Sequence, residues 1–141
     1  MSVLEGKKIL LGVTGSIAAY KSIILLRLLK REGADVQVIF SDSANNFVTQ
    51  LTFSTLSEKK VLTDFFDDDD KVEWVNHVEL AEWADYMIIA PITSSTLSKL
   101  VTGNADNLLV ATYMSTVCDV FFAPAMDLSL IHISEPTRRL N

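Results

Sequence analysis

His77 is one of two histidines in the chain, and its neighbours, "NHVELAEWAD" (76–85), give it a defined place. Asn76 precedes Glu79 by the spacing of a helix capping pair, so His77 is expected in the first turn of a short helix. Leu80, Ala81 and Ala84 follow at i+3, i+4 and i+7, which puts the imidazole on the apolar face. A helix N-terminus and partial burial both disfavour the imidazolium. The ring is therefore expected to be neutral and able to accept a proton, as a general base must. The competing reading is a core histidine satisfied by its neighbours.

A second group of chemical residues lies at strand ends. "GVTGSIAAYK", "FSDSANNF" and "APITSSTLSKL" each close an apolar run with small hydroxyl residues and then open a helix. None of them is a G-x-G-x-x-G or a P-loop. Gly15 permits a tight turn, and helix N-terminal amides favour an anion. Ser16, Thr93, Ser94, Ser95 and Thr96 add hydroxyl donors. Any one of these loops alone reads better as ordinary N-capping. Three on one rim describe a neutral pocket for a phosphate-bearing cofactor.

The elements that must position these groups alternate along the chain. Strands are expected at 7–14, 34–41, 85–91 and 119–125. Helices are expected at 16–33, in the first part of 42–58 with a less regular segment after it, from His77 onward, at 93–103 and at 106–116. Within the first helix, Ala19, Ile23, Leu26 and Lys30 trace one line, and Gly33 stands where a C-terminal stop belongs. The first strand, "KKILLGVT", is a continuous apolar run of the kind buried on both faces. The pattern β-α-β-α-β-α-β predicts an α/β fold: a doubly wound parallel sheet covered by helices on both faces. Ligands in such sheets bind at the carboxyl ends of the strands.

Bulk properties narrow the class. The chain has 141 residues, 49% of them hydrophobic, which suits one domain with a real core. A formal net charge of −6, with no basic stripe, argues against a nucleic-acid surface. No apolar run reaches the length of a membrane span. "MSVLEGKKILLGV" lacks a cleavage site and runs straight into the first turn, so it is not read as a signal peptide. Cys118 is the single cysteine, which excludes an intrachain disulfide framework and a Cys-only metal site. A cytosolic protein is expected. The acidic run "DDDDK" (67–71) reads as a solvated loop without the ligand alternation of a calcium loop.

"KKILLGVTGSIAAYK", "HVELAEWADYMIIAPITSSTLSKLVTGNADNLL" and "FFAPAMD" together resemble the homo-oligomeric flavin-containing cysteine decarboxylases, over about residues 6–128. The likeness is greatest to the branch that decarboxylates 4'-phosphopantothenoylcysteine in coenzyme A biosynthesis. The resemblance implies a flavodoxin-like three-layer α/β/α fold, bound FMN, and trimers with the active site between subunits. It places Gly15, Ser16, Ser41, Ser43, Thr93, Ser94, Ser95, Thr96 and Ala125 at the flavin. It makes His77 the active-site histidine and Asp127 a contact to the substrate carboxylate. Ser95 and Asp127 both stand where the family more often has Asn. A hydroxyl replaces only one of an amide's hydrogen bonds. An aspartate beside the substrate carboxylate repels it unless one of the two is protonated. "GNADNLL" (103–109) also matches, without separate roles for Asp106 and Asn107.

The implied reaction removes a proton and a hydride from the cysteine end of the substrate, giving a thioaldehyde. That group accepts the electrons released as carbon dioxide leaves, and the enethiolate is then reduced to 4'-phosphopantetheine. There is no net redox change and no metal, and His77 is the expected base. After Leu128 the likeness stops. The tail "SLIHISEPTRRLN" (129–141) resembles translated adapter sequence and is expected to be non-native, so His132 carries no role. The family's flap cysteine has no counterpart, and residues 1–128 are expected to be an incomplete decarboxylase domain. Alternatives are a peptide cysteine decarboxylase, a non-catalytic flavin-binding regulatory protein, or a plain nucleotide-binding module. A flavin prenyltransferase fits less well, because it lacks the "H-x-E-L-x-x-x-A-D" and "PAM" features.

Overall fold

The computed structural model describes residues 3–64 and 76–124. The acidic run 67–71, Ala125, Asp127, His132 and the whole of 129–141 lie outside the described residues.

Four parallel strands form one sheet: β1 Lys8–Val13, β2 Asp35–Phe40, β3 Tyr86–Ile92 and β4 Asp119–Pro124, in the order β2-β1-β3-β4. Leu10 lies opposite Gln37 on one side and Met87 on the other, and Met87 in turn lies opposite Val120. Past the outer side of β2, Leu62 adds a single parallel bridge to Ile39. The chain leaves β1 toward β2 and later returns to pair β3 on the opposite side of β1. The reversal of strand order therefore falls between β1 and β3, where a doubly wound sheet opens a crevice at its carboxyl rim.

Strand alternation divides the core in two. Ile9, Leu11, Val13, Val36, Val38 and Phe40 face one layer, against Leu26 and Leu29 of α1 (Lys21–Arg31) and Phe53 of α2 (Gln50–Ser57). Leu10, Ile39, Met87 and Ile89 face the other. There they meet α3 (His77–Trp83) through Leu80 and Trp83, α4 (Ser94–Thr102) through Leu100, and α5 (Leu108–Ser115) through Leu108 and Leu109. Helices thus cover both faces, as the near-continuous apolar strands require. Gly12 belongs to the second face. A Cβ there would stand 2.6 Å from Leu109 Cδ1, so its bareness lets α5 press against the sheet.

Two helices differ from expectation at their starts. The segment after β1 begins as a 3-10 turn, Ile17–Tyr20, before α1 proper. The segment 42–58, expected as a helix followed by a less regular stretch, runs in the opposite order: a 3-10 turn, Asp42–Asn46, then a break, then α2. Its residues explain the break. Asn45 Nδ2 donates to the Asp42 carbonyl at 3.1 Å, and Thr49 restarts the helix by accepting from Thr52 N–H at 3.4 Å. Asp, Asn and Thr side chains compete with the helical ladder in this way. Gly33 ends α1 at φ +86°, as its position predicts. The Ala90–Pro91 peptide is cis.

Candidate functional site

The carboxyl ends of β1, β2 and β3 surround a cavity of about 560 Å³. Gly15 comes from the first strand end, and Ser41, Asp42 and Ser43 from the second. Thr93, Ser94, Ser95 and Thr96 come from the third, and Lys99, Asp106 and Asn107 close the outer side. Seven of the residues expected at a cofactor therefore meet in one place.

Local bonding explains how each loop holds its shape. Thr93 is the N-cap of α4, accepting from Thr96 N–H at 3.3 Å, while its carbonyl accepts from Leu97 N–H at 2.9 Å. The Ser94 and Ser95 amides, which line the cavity, have no carbonyl partner inside the helix by geometry. Asn107 caps α5 in the same manner, accepting from Val110 N–H at 3.0 Å. Ser41 Oγ and Ser43 Oγ lie 3.2 Å apart. The cavity is thus edged by two helix starts and a row of hydroxyls, an arrangement that suits an anion without a cationic patch.

Gly15 has a different task from the one expected. Its φ is not positive, so the turn does not demand glycine for a left-handed backbone. A Cβ at Gly15 would instead lie 2.6 Å from Ser43 Cβ and 2.8 Å from the Ser43 carbonyl carbon, and closer still to Ser43 Oγ. The missing side chain is what lets the first and second loops touch. Ser16 does not line the cavity. Its Oγ accepts from Ala18 N–H at 3.2 Å and caps the 3-10 turn.

The outer wall holds Lys99, which the sequence pattern did not single out, with Asp106 and Asn107, to which it gave no separate roles. Lys99 is the one cation among the described lining residues, and its Nζ pairs with Asp106 Oδ1 at 3.2 Å. Asn107 Nδ2 donates to the same oxygen at 3.0 Å. The signal was the charge pair Lys99–Asp106 spanning the α4–α5 connection, visible in the sequence only once both ends are known to return to the rim.

His77 lies elsewhere. It is the first residue of α3, half-buried, with Nδ1 shielded from solvent. Asn76 Oδ1 accepts from Val78 N–H at 3.0 Å and from Glu79 N–H at 3.2 Å, which fixes the start of the helix. Ala81 and Ala84 are buried and Leu80 half-buried, so the predicted apolar face is the observed one. His77 does not line the rim cavity of its own chain. Asn76, Glu79, Leu80 and Trp83 instead edge a separate cleft of about 300 Å³, with Gln37 and Lys59.

Residues 2–135 match the Flavoprotein family. The chain belongs to the Flavoprotein family. This family member is 40% identical over 131 residues, 93% of its length, to the coenzyme A biosynthesis bifunctional protein CoaBC of Haemophilus influenzae. It is 44% identical over 120 residues to CoaBC of Mycolicibacterium smegmatis, covering 85% of the chain. It spans 32% and 28% of those two proteins, or about a third of the length of the curated relatives it matches. Among solved structures, the FMN-dependent cysteine decarboxylase SpaF superposes with a TM-score of 0.84 at 26% identity, covering 98% of this chain and 79% of that one. A mutant PPC decarboxylase complexed with pantothenoylaminoethenethiol superposes with a TM-score of 0.78 at 28% identity, covering 96% and 76%. The fold is the flavodoxin-like α/β arrangement of these decarboxylases.

Among the described residues no helix is long and apolar enough to cross a membrane, and no group of three or more His, Cys, Asp or Glu side chains could hold a metal ion.

Proposed function

We propose that this chain is the decarboxylase part of a bifunctional coenzyme A biosynthesis protein, and that it converts 4'-phosphopantothenoylcysteine to 4'-phosphopantetheine with FMN. The observation that carries the reading is the rim cavity, where the bare Gly15 of the first strand end meets the hydroxyl residues of the second and third strand ends and the first turn of α4.

The cavity fits the cofactor on its own chemistry. Its volume of about 560 Å³ lies within the roughly 300–1,000 Å³ usual for cofactor-sized ligands. The bare Gly15 cradle and the first turn of α4 provide a phosphate site made of neutral donors. Gly15, Ser41, Ser43, Thr93, Ser94, Ser95 and Thr96 would hold the phosphate and ribityl chain. Ser16 would support the first loop through its capping bond, and Ala125 would lie beside the ring system. Bound FMN supplies reversible hydride acceptance, the part of the reaction no side chain can perform. His77 takes the proton from the cysteine end of the substrate, and its place on a capped helix start holds the imidazole in one orientation. Asp127 would orient the substrate carboxylate. Residues 1–128 form the catalytic domain in this reading, and 129–141 have no part in it.

His77 and the rim cavity are separate within one chain, which supports a site shared between subunits of a homotrimer. An exposed apolar line on the first helix, Ile17, Tyr20, Ile24 and Leu28, supports contact between copies. The substrate chemistry and the CoaBC likeness support a cytoplasmic location.

A cysteine decarboxylase acting on a peptide is the second reading, since the FMN-dependent cysteine decarboxylase SpaF superposes with a higher TM-score than the PPC decarboxylase. Backbone likeness does not select a substrate. The 39–44% identity to CoaBC proteins favours the phosphopantothenoyl substrate. The test is carbon dioxide release from the chain supplied with FMN and either 4'-phosphopantothenoylcysteine or a peptide ending in cysteine. Release from the first alone supports the proposal. Release from the peptide alone replaces it with the second reading. A folded, flavin-bound protein that releases none from either points to a binding protein.

A further inference from the structure

Among the described residues five hydroxyl side chains are buried: Thr14, Ser22, Ser57, Thr96 and Thr112. Three of them bond locally. Ser57 Oγ donates to the Lys59 carbonyl, Thr96 Oγ1 meets Thr93 Oγ1, and Thr112 Oγ1 donates to the Leu108 carbonyl. Thr14 and Ser22 differ, because both reach across the chain to the same short stretch of β3.

Thr14 is fully buried at the end of β1. Its Oγ1 donates to the Pro91 carbonyl at 2.6 Å and accepts from Thr93 N–H at 3.0 Å. Its own N–H also donates to the Pro91 carbonyl, at 3.3 Å. One residue earlier on β3, the Ala90 carbonyl accepts from Ser22 Oγ. Consecutive carbonyls of the third strand end are therefore gripped by hydroxyls of the first strand–helix unit. The grip ends at Thr93, the N-cap that aims α4 at the cavity.

We propose that Thr14, seconded by Ser22, is a positioning residue that sets the register of the Thr93–Thr96 turn against the Gly15 turn, and so pre-forms the phosphate end of the cofactor cavity. The proposal rests on the FMN reading above. Thr14 does the work of both a donor and an acceptor, which a hydroxyl can do and a methyl cannot. A valine at this position leaves the Thr93 N–H without its acceptor and the Pro91 carbonyl with only the longer bond from the residue-14 backbone N–H, and the turn relaxes to find other partners. A binding loop that must be reordered at each binding event binds more weakly than one already in place.

The test is FMN affinity, measured by quenching of flavin fluorescence, for the full chain and four variants, alongside urea unfolding of each. Thr14→Val is expected to weaken binding by about tenfold and Ser22→Ala by about threefold, while Thr14→Ser stays within about twofold of wild type. Thr112→Val is the control, a hydroxyl equally buried whose bond is local to α5. It should lose stability as Thr14→Val does and leave FMN affinity unchanged. If Thr14→Val does not fold, Ser22→Ala decides. Wild-type affinity in both Thr14→Val and Ser22→Ala would overturn the positioning role, as would equal weakening in Thr112→Val. A folded wild-type chain that binds no FMN would overturn the functional reading and this role together.

Discussion

Gly15 and Ser43 are in contact across the carboxyl rim of the sheet, so closely that a Cβ on Gly15 would lie 2.6 Å from the Ser43 Cβ. Ser43 belongs to the 3-10 turn that follows β2, and its carbonyl carbon would lie 2.8 Å from the same Cβ. The two loops can meet only because one of them has no side chain.

That contact makes Gly15→Ala a sharp probe. The added methyl meets backbone, which cannot rotate away, so the rim must open. Overpacking of this kind costs about 1–3 kcal/mol. The expected result is a lowered urea midpoint with an unchanged slope, together with loss of FMN binding of at least about tenfold. A variant with wild-type midpoint and affinity would show that the rim closes by some other contact.

Asn76→Ala tests the seat of His77. The amide side chain satisfies two first-turn N–H groups of a helix only seven residues long. Loss of such a cap costs about 1 kcal/mol, and a short helix has little else to hold its first turn. Amide exchange at Val78 and Glu79 should quicken, and decarboxylation should fall while FMN affinity stays near wild type. Unchanged exchange at both amides would show that the cap is not what orders this turn.

The first core layer is tested away from the site. Phe53 is fully buried and packs edge-on against Phe40, with centroids 5.0 Å apart and rings at 81°. Phe53→Ala is expected to cost about 3–5 kcal/mol by urea unfolding. A loss below about 1 kcal/mol would mean that α2 does not close that layer in solution.

The sheet and its cavity were legible because two periodicities carry them. Continuous apolar strands such as "KKILLGV" and helices bounded by Thr93, Asn107 and Gly33 read directly from residue types. The 3-10 turn at Asp42–Asn46 did not, since the Asn45 side chain bonds the Asp42 carbonyl in a way that leaves no periodic trace. The same limit hid Thr14. A lone threonine in "GVTGS" says nothing about Pro91 and Thr93, which lie 77 and 79 residues along the chain. Ser16 was counted with the cavity because its loop leads there; its hydroxyl accepts from Ala18 N–H, which leaves the O–H able to donate. His77 was placed correctly on its helix face by spacing. Its separation from the rim depends on where α3 packs, which spacing does not encode.

The central claim is that the rim holds the flavin and His77 performs the proton transfer. The most direct measurement is carbon dioxide release from 4'-phosphopantothenoylcysteine by wild type and His77→Asn at matched FMN content, established from the visible spectrum. The account predicts equal flavin binding and release slowed by at least about a hundredfold in His77→Asn, the usual scale for a lost general base. Equal release by the two proteins at equal flavin content would contradict it.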